Sequence, residues 1–286
     1  MKTKSPLLKA LIWSATQRLQ FIEFRLFWEG HVNRSDLIET FGISVPQSTL
    51  DFREYMQRAP GNMDYDKRER QYFKTPTFKP IFISSHAEGY LSQLNALAID
   101  RMSQSVPGLI GATPSFDVLP SPERRVDTDT LQALLKCIRD KHSVEIHYQS
   151  LSSPDPTWRR VSPHSLASDG LRWHIRAYCH SKLEFRDFVL GRIMDIRDTR
   201  PDLALTENSD VDWNEFINVT IAPNPALTVE QHKIIERDFS MKEGTSQIRI
   251  RRSLLFYLKR RLGLDNDMEK TPAAQQVIIV KTEPVL

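Results

Sequence analysis

The sequence predicts an α+β, multidomain protein, and three observations carry that prediction. The first 80 residues show helical spacing of apolar side chains, cut by glycines at helix-ending positions. Residues 142 to about 200 change to short alternating runs separated by turn residues, the pattern of a small β domain. Beyond residue 205, strand-like runs and a capped helix alternate once more. A chain of 286 residues is also long for a single hydrophobic core, so two or three domains are expected.

In the first segment, "SATQRLQFIEFRLFWEG" places Leu19, Ile22 and Leu26 on one helical stripe, with Ser14 as a cap and Gly30 as a stop. "NRSDLIETFG" is a short second helix ended by Gly42. "SVPQSTLDFREYMQRAPG" is a third: Ser44 caps it, and Pro46 sits in the first turn, where a missing N–H does little harm. Its expected inward stripe is Val45, Thr49, Phe52 and Met56, leaving Gln47, Ser48, Asp51 and Glu54 outward or flanking. "NMDYDKRERQYFKT" then reads as a hairpin with a charged tip. Helix, tight turn, helix and basic-tipped hairpin is the order of a winged helix-turn-helix.

"HAEGYLSQLNALAIDRM" is one further helix, and the Pro-, Gly- and Ser-rich "SVPGLIGATPSFDVLPSP" after it reads as a linker. A new domain is expected near Val126. "DTDTLQALLKCIRDKH" is an amphipathic helix, and "SVEIHYQS" a strand with Val144, Ile146 and Tyr148 on its core face. "TWRRVSPHSLA", "LRWHIRAYC" and "LEFRDFVLGRI" continue as strands, and close spacing of short strands suggests a small barrel. In "LRWHIRAYC", alternation assigns Trp173, Ile175, Ala177 and Cys179 to the core. It puts Arg172, His174, Arg176 and Tyr178 on the opposite face, with Asp169-Gly170 as the turn before them.

The last segment contains the strand-like "NVTIAPNP" and a capping-box pattern, Thr228 to Gln231, ahead of a helix. "QIRIR" and "QQVIIV" are strand candidates, and "RSLLFYLKRRLG" is a basic helix.

Composition narrows the function classes. Net charge is +3, but residues 1–80 hold 13 Lys and Arg against 9 Asp and Glu. A basic bias there permits nucleic-acid binding without demonstrating it. No apolar run approaches a membrane span, and the basic N-terminus lacks the apolar core of a signal peptide. Two distant cysteines, Cys137 and Cys179, suggest a reducing compartment, so a cytoplasmic protein is expected. Walker, G-x-S-x-G and H-E-x-x-H motifs are absent, and no cofactor motif is present. His164, His174, Cys179 and His180 do not make a metal site by spacing, since no C-x-x-C pair exists and regular alternation separates His174 from Cys179.

The central segment resembles the WYL domain in three places. These are "RRVSPHSL" with Arg160, Pro163 and His164, the Trp173-His174-Ile175 core, and a closing Arg186, Phe188, Arg192 and Ile193. His174 stands where the name-giving tyrosine would be, so a role of that hydroxyl does not transfer. "QRLQFIEFRLFWEGHVNRSDLIETFGIS" with "NMDYDKRERQYF" looks like the winged helix-turn-helix of the phage-defence-associated branch, the BREX- and CBASS-linked repressors. The resemblance covers nearly the whole chain. It implies a winged helix-turn-helix at 1–80, a helical linker at 81–125, a WYL domain with an Sm/SH3-like β-barrel at 126–204 and a C-terminal dimerisation domain at 205–286. The implied function is a homodimeric repressor of a defence operon that senses a ligand.

Within that frame, Ser44, Gln47, Ser48 and Thr49 near the start of the third helix are expected at DNA, the last three as base readers. Arg34 and Arg53 suit phosphates, and Lys67, Arg68 and Arg70 at the hairpin tip suit phosphate or minor groove. In the central domain Arg160, His164, His174, Arg176, Arg186 and Arg192 beside Tyr148 are expected to form a cationic pocket. An anionic effector, a nucleotide or a nucleic-acid end, would suit it. The partners expected are double-stranded operator DNA, a second copy of the chain and that effector, with no membrane. The competing reading is an RNA- or single-strand-binding accessory protein that uses the barrel as its main surface.

Overall fold

The computed structural model describes residues 15–103, 110–111, 113–119, 122, 124–201, 205–264 and 274–285. Ser14 and parts of the expected linker lie outside them. The chain folds as two compact units, residues 1–120 and 121–286.

Unit one contains α1 (Ala15–Glu29), β1 (His31–Val32), α2 (Arg34–Phe41), α3 (Val45–Arg58), β2 (Met63–Asp66), β3 (Gln71–Lys74) and α4 (Ala87–Ser103). Gly42 takes φ +63° at the end of α2, the left-handed turn that lets α3 start three residues later. Asn33 and Asp36 form a capping box at the start of α2, a signal not read from the sequence. The hairpin is present as expected, and β1 joins it in a three-stranded sheet of order β1-β3-β2. Leu19, Ile22 and Leu26 are fully buried, packing with Leu37, Phe52 and Tyr55.

The expected stripe of α3 is corrected. Val45 is 60% and Met56 41% exposed, while Ser48, Asp51, Phe52 and Tyr55 are buried. Two polar residues face inward because each finds a partner. Asp51 takes two bonds from Arg18, Nε to Oδ2 at 2.7 Å and Nη2 to Oδ1 at 3.0 Å, and the Ser48 hydroxyl donates to the Arg34 carbonyl at 3.4 Å. Glu23, also fully buried, accepts from the backbone N–H groups of Ile81, Phe82 and Ile83 and from the Tyr55 hydroxyl. It pins the chain leaving the hairpin against α1.

Unit two opens with α5 (Thr128–Asp140), capped by Asp127, which packs on an antiparallel five-stranded sheet. Its strands are β4 (His142–Tyr148), β5 (Thr157–Ser168), β6 (Trp173–Cys179), β7 (Glu184–Val189) and β8 (Ile193–Pro201), in the order β7-β6-β5-β4-β8. The expected barrel is not closed: no pairing joins β7 to β8 among the described residues. Val144, Ile146 and Tyr148 are core, as their alternation requires. After α6 (Val211–Asn214) come β9 (Phe216–Pro223), α7 (Val229–Asp238), β10 (Ser246–Arg251), α8 (Leu255–Arg261) and β11 (Val277–Pro284). The three strands make a sheet of order β10-β9-β11, with α7 over β9 and the Thr228/Gln231 capping box in place.

Candidate nucleic-acid interface and ligand cavity

In unit one, α2, α3 and the β2–β3 hairpin place the expected DNA residues unequally. Ser44 spends its hydroxyl on the Gln47 N–H at 3.3 Å as the cap of α3. Ser48 is fully buried and does not reach a base, which corrects its expected role. Gln47 is half-buried, and its amide donates to Asp51 at 3.0 Å. The Thr49 hydroxyl donates to the Val45 carbonyl at 3.0 Å. Arg53 is exposed on the outer face. Arg34, also exposed, donates to the Tyr72 hydroxyl at 3.1 Å, joining the start of α2 to β3. Arg34 and Arg70 line an open cleft of about 280 Å³ with Tyr65 and Tyr72. At the hairpin tip Asp66 accepts from the N–H groups of Arg68 and Glu69, a turn that leaves Lys67, Arg68 and Arg70 exposed. A capped helix beside a basic loop is suited to a groove and its flanking phosphates.

In unit two, β6 overturns its predicted sidedness. Ile175, Ala177 and Cys179 are fully buried, but so are His174 at 1% exposure and Arg176 at 6%, whereas Trp173 is 55% exposed. The polar face is roofed by the segment that begins at residue 205. Arg176 meets Asp210 through two bonds, Nε to Oδ2 at 2.7 Å and Nη2 to Oδ1 at 3.1 Å, and Asp187 at 3.4 Å. His164 Nε2 lies 3.1 Å from the same carboxylate, and its Nδ1 lies 2.9 Å from the Ser165 hydroxyl. Burial opposes ionisation of Asp210, but the Arg176 guanidinium outweighs it and holds the carboxyl below the usual range. Burial pushes His164 below the ordinary histidine value, although the Asp210 carboxylate opposes the shift. His174 packs on the Tyr257 ring at 4.9 Å and is likewise pushed down by burial.

The expected cationic pocket is therefore dispersed. Arg176, His164 and His174 are tied into this buried network, although His164 also borders a small cavity of about 240 Å³. The Tyr148 hydroxyl accepts from the Val189 N–H at 3.2 Å within the core. Arg160 pairs with Asp198, and Arg186 with Glu184 at 3.2 Å on the surface. Arg192 borders open space.

That space is arginine-rich. A cavity of about 440 Å³ lies between the β5–β6 turn (Asp169 to Arg172) and α8, lined also by Arg124, Tyr257, Arg260 and Arg261. A second, of about 370 Å³, shares Arg124, Leu171 and Arg172 and adds Arg125, Trp173 and Arg192. Among the described residues six arginines thus border the two cavities against a single carboxylate, Asp169, which is engaged by Arg172 at 3.0 Å. Such a surface accepts multiply charged anions through guanidinium forks. Sequence reasoning placed only Arg192 of the six in a ligand pocket and missed the other five. "PERRV" and "LKRRLG" show as basic runs, but nothing in the sequence brings residue 124 to residue 261.

Among the described residues no helix is long and apolar enough to cross a membrane. Three family models match the chain. They are the BrxR transcriptional regulator winged helix-turn-helix domain over residues 14–96, the WYL domain over 129–198 and the BrxR C-terminal dimerization domain over 216–285. The DNA-binding transcriptional repressor CapW of Stenotrophomonas maltophilia is 39% identical over 274 residues, covering 96% of this chain and 91% of the relative. CapW of Escherichia coli (strain KTE188) is 38% identical with the same coverage. CapW of Pseudomonas aeruginosa is 39% identical over 276 residues, again 96% and 91%. With this identity over nearly its whole length, and with winged-helix, WYL and dimerisation domains in the same chain, the protein belongs to the family of WYL-domain transcriptional repressors that includes CapW.

Proposed function

We propose that this chain is a cytoplasmic, non-enzymatic homodimeric repressor of a phage-defence operon. It binds an inverted-repeat operator through residues 1–80, dimerises through 205–286 and senses an anionic effector in the domain at 126–204, with 81–125 as linker. The single observation that carries the sensing part is the arginine-lined pair of cavities between the β5–β6 turn and α8. An anion held there touches the sensing domain and the dimerising segment together. It would shift the repressor between states if its affinity for them differs. The site replaces the expected set, of which Arg192 alone is kept there.

Binding of the promoter duplex is measured alone and with a 5′-phosphorylated tetranucleotide as the probe anion, for the wild type and for Arg172→Ala and Arg261→Ala. The expected result is a footprint over an inverted repeat, a probe-dependent change in wild-type affinity, and variants that bind DNA normally but ignore the probe. A probe response that survives in both variants overturns this location. Tighter binding to a matched single-stranded RNA than to the duplex favours the accessory RNA-binding reading.

A further inference from the structure

The first turns of α3 expose apolar side chains beside polar ones that each already hold a bond within the protein. The polar side chains of its first turns are committed to the protein itself: Ser44 to the Gln47 N–H, Gln47 to Asp51, Ser48 to the Arg34 carbonyl, and Thr49 to the Val45 carbonyl. Within residues 45–50 the exposed side chains are aliphatic. Val45 is 60% and Leu50 53% exposed on the two flanks of this face, with Pro46 and the charged Arg53 between them. A capped helix that presents its N-terminal half to the major groove contacts base edges with these positions. The apolar feature of a base edge there is the C5 methyl of thymine.

We infer that α3 reads thymine methyl groups through Leu50 and Val45, and that Arg53 supplies its one charged contact to a guanine or a phosphate. This rests on the operator-binding reading above and adds the base class. Transferring one methyl-sized group from water to an apolar contact changes affinity about fourfold. Thymines at the contacted positions therefore set the preference of each half-site.

The test replaces each thymine of the footprinted operator, one at a time, by deoxyuridine. The hydrogen-bonding groups stay and the methyl goes. Dissociation constants are measured at one salt concentration for the wild type and for Leu50→Ala, whose exposed position leaves the fold intact. One or two substitutions per half-site should weaken the wild type about fourfold, and at least one of them, at the thymine under Leu50, should have no effect on Leu50→Ala. If the wild type discriminates its operator from scrambled DNA yet no deoxyuridine weakens it, the inference is overturned while the repressor reading stands. Equal binding to operator and scrambled duplex instead removes the operator reading, and this inference with it. Should Leu50→Ala change the oligomeric mass in sedimentation and keep the deoxyuridine effect, the face is a protein contact and the inference is wrong.

Discussion

Arg176 and Asp210 are 34 residues apart in sequence and joined by two parallel hydrogen bonds, in a site that excludes water from both side chains. The pair fastens β6 to the start of the C-terminal segment, and the same carboxylate caps α6 by accepting from the Trp213 N–H at 3.1 Å. Removing one partner leaves a buried charge unpaired, which typically costs ~3–5 kcal/mol. Arg176→Ala and Asp210→Ala should each lower the denaturation midpoint of the second unit. The double change Arg176→Met with Asp210→Leu should cost less than either single one. Two stable single variants would mean that the bond contributes little.

Acid should weaken the second unit in two windows. His164 and His174 have folded pKa values below the ordinary ~6.5, so the unfolded chain binds more protons than the native one in this range. Their contribution is complete above pH ~6.5 and is lost as pH falls through the depressed folded values. Asp169 and Asp210, also depressed, lose theirs only below the ordinary carboxylate value of ~3.9. Denaturation midpoints between pH 8 and 5 should therefore fall on the acid side, and less so in His174→Phe. A flat profile across that range would rule out a histidine contribution.

Trp173 and Ile175, which strand alternation assigns alike to the core, should differ sharply in importance. Trp173 is more than half exposed, so Trp173→Ala should change stability by roughly 0.5 kcal/mol or less. Ile175, with no exposed surface, should cost ~2–5 kcal/mol as Ile175→Ala. Urea denaturation of the two variants decides it, and a large loss for Trp173→Ala would show that the ring is packed in solution.

On the DNA side, Ser48→Ala should leave base preference intact. Lys67→Ala with Arg68→Ala should weaken operator and random duplex alike. If each of the two contacts one phosphate, the double change should also reduce the slope of log K against log salt by about 0.9 per contact. An unchanged slope would place the hairpin tip away from phosphate.

Much of the domain order was readable because it rests on local chemistry. Glycine stops, the Ser44 and Thr228 caps, the hairpin turn at Gly170 and the alternation of Val144, Ile146 and Tyr148 act within a few residues of chain. The WYL motif and the winged-helix order were readable for the same reason. The phase of α3 was not. Two stripes, one through Val45 and Met56 and one through Ser48 and Tyr55, both include Phe52, and the choice turned on whether Ser48 and Asp51 could find partners. Arg18 and the Arg34 carbonyl supply them from other helices.

The sequence by itself determined the elements, their order and the presence of basic chemistry in the central domain. Tertiary structure alone decided which arginines are open to solvent. Period-two alternation reports sidedness when one face of a strand meets water and the other a core. β6 is covered on both faces, so its alternation could not distinguish a solvated face from one sealed by Asp210 and Tyr257. Ion pairs between residues tens of positions apart depend on which elements the topology brings together. That is why Arg176 is buried as a fastening and Arg261 lines a cavity.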